Sequence, residues 1–170
     1  LTLGQLSQLL WAAYGVTADK YGIGLKTAPS AGALYPLDVY AVVGKDRQEG
    51  LEAGVYAYNP SRHALSLSKS GDLREGLAQA ALGQMWMAQA PVIMLISGEY
   101  ARSTAKYGQR GVMYTHMESG FVGQNLFLQA GALGLRAGVV GAFDNRAVAR
   151  VLDLPPRHDP LLAMPVGYGA

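Results

Sequence analysis

The apolar positions of the chain switch between two periods. Leu3, Leu6, Leu9, Leu10 and Ala13 recur at helical spacing, which predicts a helix over 3–14. Thr2-Leu3-Gly4-Gln5 fits a capping box, with Thr2 as N-cap and Gln5 reaching back, and Gly15 marks the end. Residues 16–36 show no such period, and the expectation is a long glycine-containing loop. A loop of that length is unusual in a compact domain unless it has a task. Apolar runs at 39–44 and 91–97 predict strands, the second buried on both faces. Residues 54–58 and 64–68 flank Asn-Pro-Ser-Arg-His and predict a hairpin. Helices are expected over 72–82, with Ser70 or Gly71 near the cap, over 100–108, over 112–134, and from an Asp144 cap through Leu152. Residues 135–142 and 160–167 complete the strands. The last is expected at a sheet edge, because Pro165 has no N–H for a ladder. This order predicts one α+β domain over 1–170, a mixed central sheet flanked by helices.

The longest helical pattern carries Gly120, Gly123 and Gly131, each costing about 1 kcal/mol relative to alanine. Gly120, Gly123, Phe127, Ala130 and Gly134 share one seam. Such a seam admits a second backbone, from the same chain or from its copy in a dimer. The plain alternative is a flexible helix.

Composition narrows the function classes. Half of the 170 residues are apolar and 15% are charged, a low fraction that suggests a partner or cofactor covers apolar surface. There is no cysteine, which excludes disulfides, thiolate metal sites and cysteine nucleophiles. A net charge of +2 argues against a nucleic-acid partner. No run approaches the ~18 apolar residues of a membrane span, and no signal peptide is visible. A cytoplasmic protein without a membrane partner is expected. Phosphate-binding glycine motifs and the G-x-S-x-G nucleophile motif are absent. His63, His116 and His158 fall in a turn, a helix and a loop, without ligand spacing, so no metal site is expected. A chain lacking reactive groups can still be an enzyme when a cofactor carries the chemistry.

The stretch 27–36, Thr-Ala-Pro-Ser-Ala-Gly-Ala-Leu-Tyr-Pro, suits such a cofactor. Two prolines bracket small residues, and Ser30 supplies a hydroxyl, so a flat ligand can approach the main chain. The plain alternative is a helix-to-strand connection. PSAGALYP (29–36) followed by an apolar strand resembles the flavin loop of nitroreductase-like flavoproteins. It is closest to the SagB/ThcOx-type dehydrogenases that oxidise azolines in modified peptides. Four further stretches match in order. GVYAYNPSRHAL (54–65) resembles a structural hairpin of that branch. AKYGQRGVMY (105–114), leading into MESGFVGQNLFLQAGALGL (117–135), resembles its Lys-Tyr motif and the dimerising helix. AGVVGAFD (137–144) resembles the loop beneath the flavin, and LLAMPVGYGA (161–170) the terminal strand.

The resemblance implies an intertwined homodimer of nitroreductase-like fold that binds FMN and moves hydride from an azoline-type substrate to flavin N5. It implies cofactor contacts at Pro29, Ser30, Ala31, Gly32, Ala33, Tyr35, Val139, Val140, Gly141 and Arg110. The main-chain donor to N5 is expected at Gly141, counting back from Phe143-Asp144. Lys106 and Tyr107 are the implied catalytic pair. Arg102 and Arg110, at i−4 and i+4, would depress the lysine so that it acts as base; the same spacing also describes a solvated basic face. Ala33 and Tyr35 stand where ordinary nitroreductases place Asn and Gln, which favours the azoline branch. The family's Arg-x-Ser-x-Arg segment for the FMN phosphate has no counterpart, nor do the basic residues after the last strand. Either the natural N-terminus supplies it, or Arg102, Lys106 and Arg110 substitute, or FMN binds poorly. The alternatives are an NAD(P)H-dependent nitro or quinone reductase and a flavin-less scaffold dimer of the same fold. Expected partners are a second copy, a small-molecule or modified-peptide substrate, NAD(P)H, and proteins of a biosynthetic cluster.

Overall fold

The computed structural model describes residues 1–20, 22–45 and 50–169. Helix α1 (Leu3–Tyr14) begins with the expected capping box: Gln5 N–H donates to Thr2 Oγ1 at 3.1 Å and Thr2 N–H to Gln5 Oε1 at 2.9 Å. Gly15 ends it, donating to the Trp11 carbonyl at 2.7 Å. A β-carbon at Gly15 would collide with that carbonyl and the Trp11 ring.

Among the described residues six strands form the central sheet: β3 (Leu37–Val43), β4 (Gly54–Asn59), β5 (Ala64–Ser70), β6 (Val92–Gly98), β7 (Arg136–Ala137) and β8 (Asp159–Gly167). Their spatial order is β5-β4-β3-β6-β8-β7. The period of two sorts their side chains onto two buried faces. Val39, Ala41, Val43, Val92, Met94 and Ile96 pack with Leu6, Leu9 and Leu10 of α1 and with Val122 and Leu126 of the long helix α4 (Arg110–Ala132). Tyr40, Val42, Ile93 and Leu95 face the other way, onto α2 (Arg74–Ala80) and α5 (Asn145–Leu152). Each fully buried Leu or Ile contributes roughly 1.5–3 kcal/mol of burial. Helix α3 (Tyr100–Tyr107) packs against α4. The Asp144 cap is present, its carboxylate accepting Ala147 N–H at 2.8 Å.

The α+β architecture is as expected, with corrections. Strand directions are not mixed: every ladder is antiparallel, because each strand returns beside its neighbour from the opposite end. Residues 16–36 are not one loop. Strands β1 (Val16–Lys20) and β2 (Ile23–Lys26) pair as a separate antiparallel hairpin, and the irregular link shrinks to 27–36. The terminal strand is interior, between β6 and β7. Pro165 is tolerated there because its carbonyl accepts Gly138 N–H at 3.0 Å. In an antiparallel ladder a residue's N–H and C=O point the same way, so the missing donor faces β7 and spares the ladder to β6. The strand expected over 135–142 reduces to β7 and a single bridge, Val140 to Ala163. Helix α2 has no side-chain N-cap from Ser70 or Gly71; Asp72 accepts Arg74 N–H at 3.3 Å instead.

The glycine seam is divided. Gly123 faces Leu162 and Met164, and Ala130 is buried, whereas Gly120 and Gly131 meet nothing within 4 Å. Gly134 lies beyond the helix at φ +70°. The exposed side of α4 carries Met113, Met117, Phe121 and Leu128.

Candidate functional site

The link from β2 to β3 is held in a rare backbone shape. Gly32 has φ +61°, and Ala33 and Tyr35, which carry β-carbons, have φ +52° and +48°. Each of the latter two costs on the order of 1–2 kcal/mol unless neighbours fix it. Ser30 Oγ accepts Tyr35 N–H at 2.9 Å. Tyr35 in turn accepts Lys26 N–H on its hydroxyl at 3.0 Å and meets Tyr14 edge-on, centroids 5.9 Å apart. The Tyr35 carbonyl accepts from Arg102 Nη1 at 3.3 Å.

Helix α3 lies over this loop. A β-carbon at Gly32 would come within 2.6 Å of the Tyr107 hydroxyl and 3.0 Å of Lys106 Nζ. Candidate residues from two distant stretches are thus adjacent: Gly32 beside Lys106 and Tyr107. The charge arrangement around Lys106 differs from expectation. Lys106 is exposed. Gly108, at φ +52°, ends α3, so Arg110 opens α4 and does not continue the same helical turn; its guanidinium lies 5.5 Å from the Tyr114 ring. Arg102 is committed to Asp38 and Glu99, each at 2.8 Å. A fork bound to two carboxylates is a clamp, not a free cation tuning a lysine.

Beneath the loop lies a polar cluster. Glu118 of α4 is 2% exposed and accepts the Tyr14 hydroxyl proton at 2.6 Å. Tyr14 Oη also accepts Leu37 N–H at 3.4 Å. Lys26 Nζ sits 3.7 Å from the Tyr14 centroid and 4.6 Å from that of Tyr35. Burial lowers the Lys26 ammonium to about 8, against the opposing pull of Asp38 and Glu118. Burial raises the Glu118 carboxyl, opposed by Ser30, Tyr14 and Lys26. Burial, reinforced by Glu118, pushes the Tyr14 phenol far up, so it stays a donor. An open recess of 280 Å³ adjoins the cluster, lined by Pro29, Ser30, Ala31, Tyr114, Met117, Glu118 and Phe121. The sequence offered one signal for Glu118: a carboxylate at a buried-face position of α4, among Thr115, Ser119 and Val122.

The loop at 137–144 is separate. No hydrogen bond or ring contact among the described residues joins it to 27–36. Val140 exchanges both main-chain bonds with Ala163, at 2.8 and 2.9 Å, so it pins the loop and has no donor to spare. Val139 is 48% exposed. Gly141 is exposed; its N–H makes no hydrogen bond among the described residues, and the nearest atom to a β-carbon there is Leu162 Cδ2 at 3.9 Å. The histidines are tied into hydrogen bonds: His63 to Ser7 and Tyr58, His116 to Tyr100, His158 to Tyr40. Among the described residues no metal-ligand cluster exists. The terminal segment resembling the family's last strand is described as far as Gly169; Ala170 lies outside the described residues.

The nitroreductase family pattern matches residues 1–168. The chain belongs to the nitroreductase family. The Methanocaldococcus jannaschii protein MJ1384, a nitroreductase by name, is 47% identical over 98% of this chain and 81% of its own length. The microcin B17-processing protein McbC of Escherichia coli is 29% identical over 76% of this chain and 48% of its own. The solved E. coli microcin synthetase McbBCD complex, with truncated pro-MccB17 bound, contains a chain that superposes with a TM-score of 0.84 at 25% identity. That match covers all of this nitroreductase-family chain and 65% of the other. The chain therefore spans about half of McbC and under two thirds of its structural counterpart. The family and fold read from the motifs are those found, and the protein is an oxidoreductase of this family. No helix among the described residues is long and apolar enough to cross a membrane.

Proposed function

We propose that the protein is an FMN-dependent dehydrogenase of the SagB/ThcOx type, taking hydride from an azoline-type substrate. The observation that carries this reading is the seating of Lys106 and Tyr107 directly over Gly32. Likeness to a microcin-processing protein supports the same branch.

The residues present fit the ring end of the cofactor. The small-residue loop leaves an open recess beside Ser30 and Ala31, and the Gly141 N–H is an exposed donor. Pro29, Ser30, Ala31, Gly32, Ala33 and Tyr35 would hold one edge, and Val139 and Gly141 another. Of the three cations named for the phosphate, Arg102 is bound to carboxylates and Lys106 stands beside Gly32 of the ring loop, which leaves Arg110. FMN, where bound, supplies the acceptor for a hydride. The chain's own task is the proton that leaves the azoline ring as it becomes an azole; Lys106 Nζ would receive it as the free amine, with Tyr107 Oη beside it to orient the substrate. The two halves of the site are not joined within one chain. A second copy docked on Met113, Met117, Phe121 and Leu128 would bring one chain's 139–141 to the other's loop.

The resemblance to MJ1384 favours a second reading, an NAD(P)H-dependent nitro or quinone reductase. Turnover by the FMN-loaded protein separates the two. The dehydrogenase converts a thiazoline-bearing peptide to the thiazole without consuming NAD(P)H. Steady NAD(P)H oxidation with a quinone, and no conversion of the peptide, would establish the reductase instead.

A further inference from the structure

Glu118 is a buried carboxylate on the wall of the recess beside Ser30 and Ala31. Two hydroxyls adjoin it. Tyr14 donates at 2.6 Å, and Ser30 lines the same recess as the carboxylate. Ser30 Oγ accepts Tyr35 N–H, which leaves its own proton free to be donated into the recess. Tyr35 is one of the two residues of the loop that hold a left-handed conformation with a β-carbon. Glu118 and Ser30 thus share one wall of the recess, and Ser30 holds the strained part of the ligand loop through Tyr35 N–H. A hydrogen-bonded path runs from Glu118 through Tyr14 to Leu37, where the loop becomes β3.

Burial opposes the charge on Glu118. Glu118 titrates higher in the folded chain than its ordinary value, with burial as the first cause. Such a group stabilises the fold below its ordinary range, and that stabilisation is lost as pH rises through the raised value.

We propose that Glu118 is a positioning residue for the ligand loop: its ionised carboxylate, acting through the Ser30 and Tyr14 hydroxyls, fixes the Tyr35 backbone in the shape that receives a flat ligand. The proposal rests on the reading of Pro29–Tyr35 as the flavin loop. The groups facing Glu118 are Tyr14 from α1, Lys26 from β2 and Ser30 from the loop; Asp38 of β3 and Arg102 of α3 act on Lys26. Lys26 also titrates in the working range, so Lys26→Met is the control for pH effects.

The test has two readouts on the full chain. The first is amide hydrogen exchange at Tyr35 without FMN, in wild type, Glu118→Gln, Glu118→Asp and Tyr14→Phe, with thermal unfolding of each. Glu118→Gln should speed Tyr35 exchange roughly tenfold while the unfolding temperature holds or rises, and Glu118→Asp should restore slow exchange. The second is FMN titration between about pH 5 and pH 8. Wild type and Lys26→Met should lose affinity toward acid; Glu118→Gln should bind roughly tenfold more weakly and without that slope. Unchanged Tyr35 exchange in Glu118→Gln, or a lower unfolding temperature with it, overturns the positioning role. Failure of wild type to bind FMN at any pH overturns the flavin reading alone, because the exchange measurement still decides the role of Glu118.

Discussion

The Tyr107 hydroxyl stands 2.6 Å from where a β-carbon on Gly32 would lie, closer than any real contact of that kind. The position also has φ +61°, which disfavours every L-residue. Gly32→Ala should therefore destabilise the chain by about 1–3 kcal/mol, read by denaturant unfolding. Adding Tyr107→Phe should recover part of the loss, since the colliding oxygen is gone. A double variant no better than Gly32→Ala would show that backbone strain is the whole effect.

Lys106 is exposed and makes no ion pair among the described residues. Its removal should leave the fold alone. Lys106→Ala is expected to retain FMN and to lose substrate oxidation by roughly a hundredfold or more. Full turnover in a steady-state assay would make Lys106 an ordinary solvated side chain.

Gly141→Val tests the second half of the site. With Leu162 as the nearest neighbour at 3.9 Å, a β-carbon meets no obstruction there. The unfolding midpoint should stay within about 1 kcal/mol of wild type, while FMN titration shows weakened binding. Unchanged FMN affinity would remove Gly141 from the ring contacts.

Asp72 sets a pH dependence far from the site. Its carboxylate accepts from Arg74 Nη2 at 2.6 Å, Arg74 Nε at 2.9 Å and Lys45 N–H at 2.9 Å. The Arg74 bonds lead in holding it well below the usual carboxylate range. A group lowered on folding gives stability that is present above its unfolded value and lost as pH falls through the folded one. Asp72→Asn should thus cost about 1 kcal/mol at neutral pH. The gap to wild type should narrow below about pH 4 in thermal unfolding; a gap independent of pH would assign the effect to shape, not charge.

Local signals were the legible ones. The capping box of α1, the Asp144 cap and the apolar runs of β3 and β6 each lie within a few residues of what they determine. The β1–β2 hairpin was hidden because none of its described residues enters either core, so burial left no period to read. Pro165 misled because a proline's place in a sheet depends on which side its missing donor faces, a matter of register. In the site, the loop and the Lys-Tyr pair could be picked out separately, but their contact across Gly32 could not. Lys26 and Glu118 carry no motif. They meet only because Tyr14 of α1 lies between them, its ring under the ammonium and its hydroxyl on the carboxylate.

The most direct test of the flavin reading is an absorbance spectrum from the near ultraviolet to the green, recorded before and after excess FMN and desalting. Retained flavin bands near ~450 nm, in the ratio of one FMN per chain, are the predicted result. A protein that remains colourless after loading would contradict it, and would favour a flavin-less dimer built on the same fold.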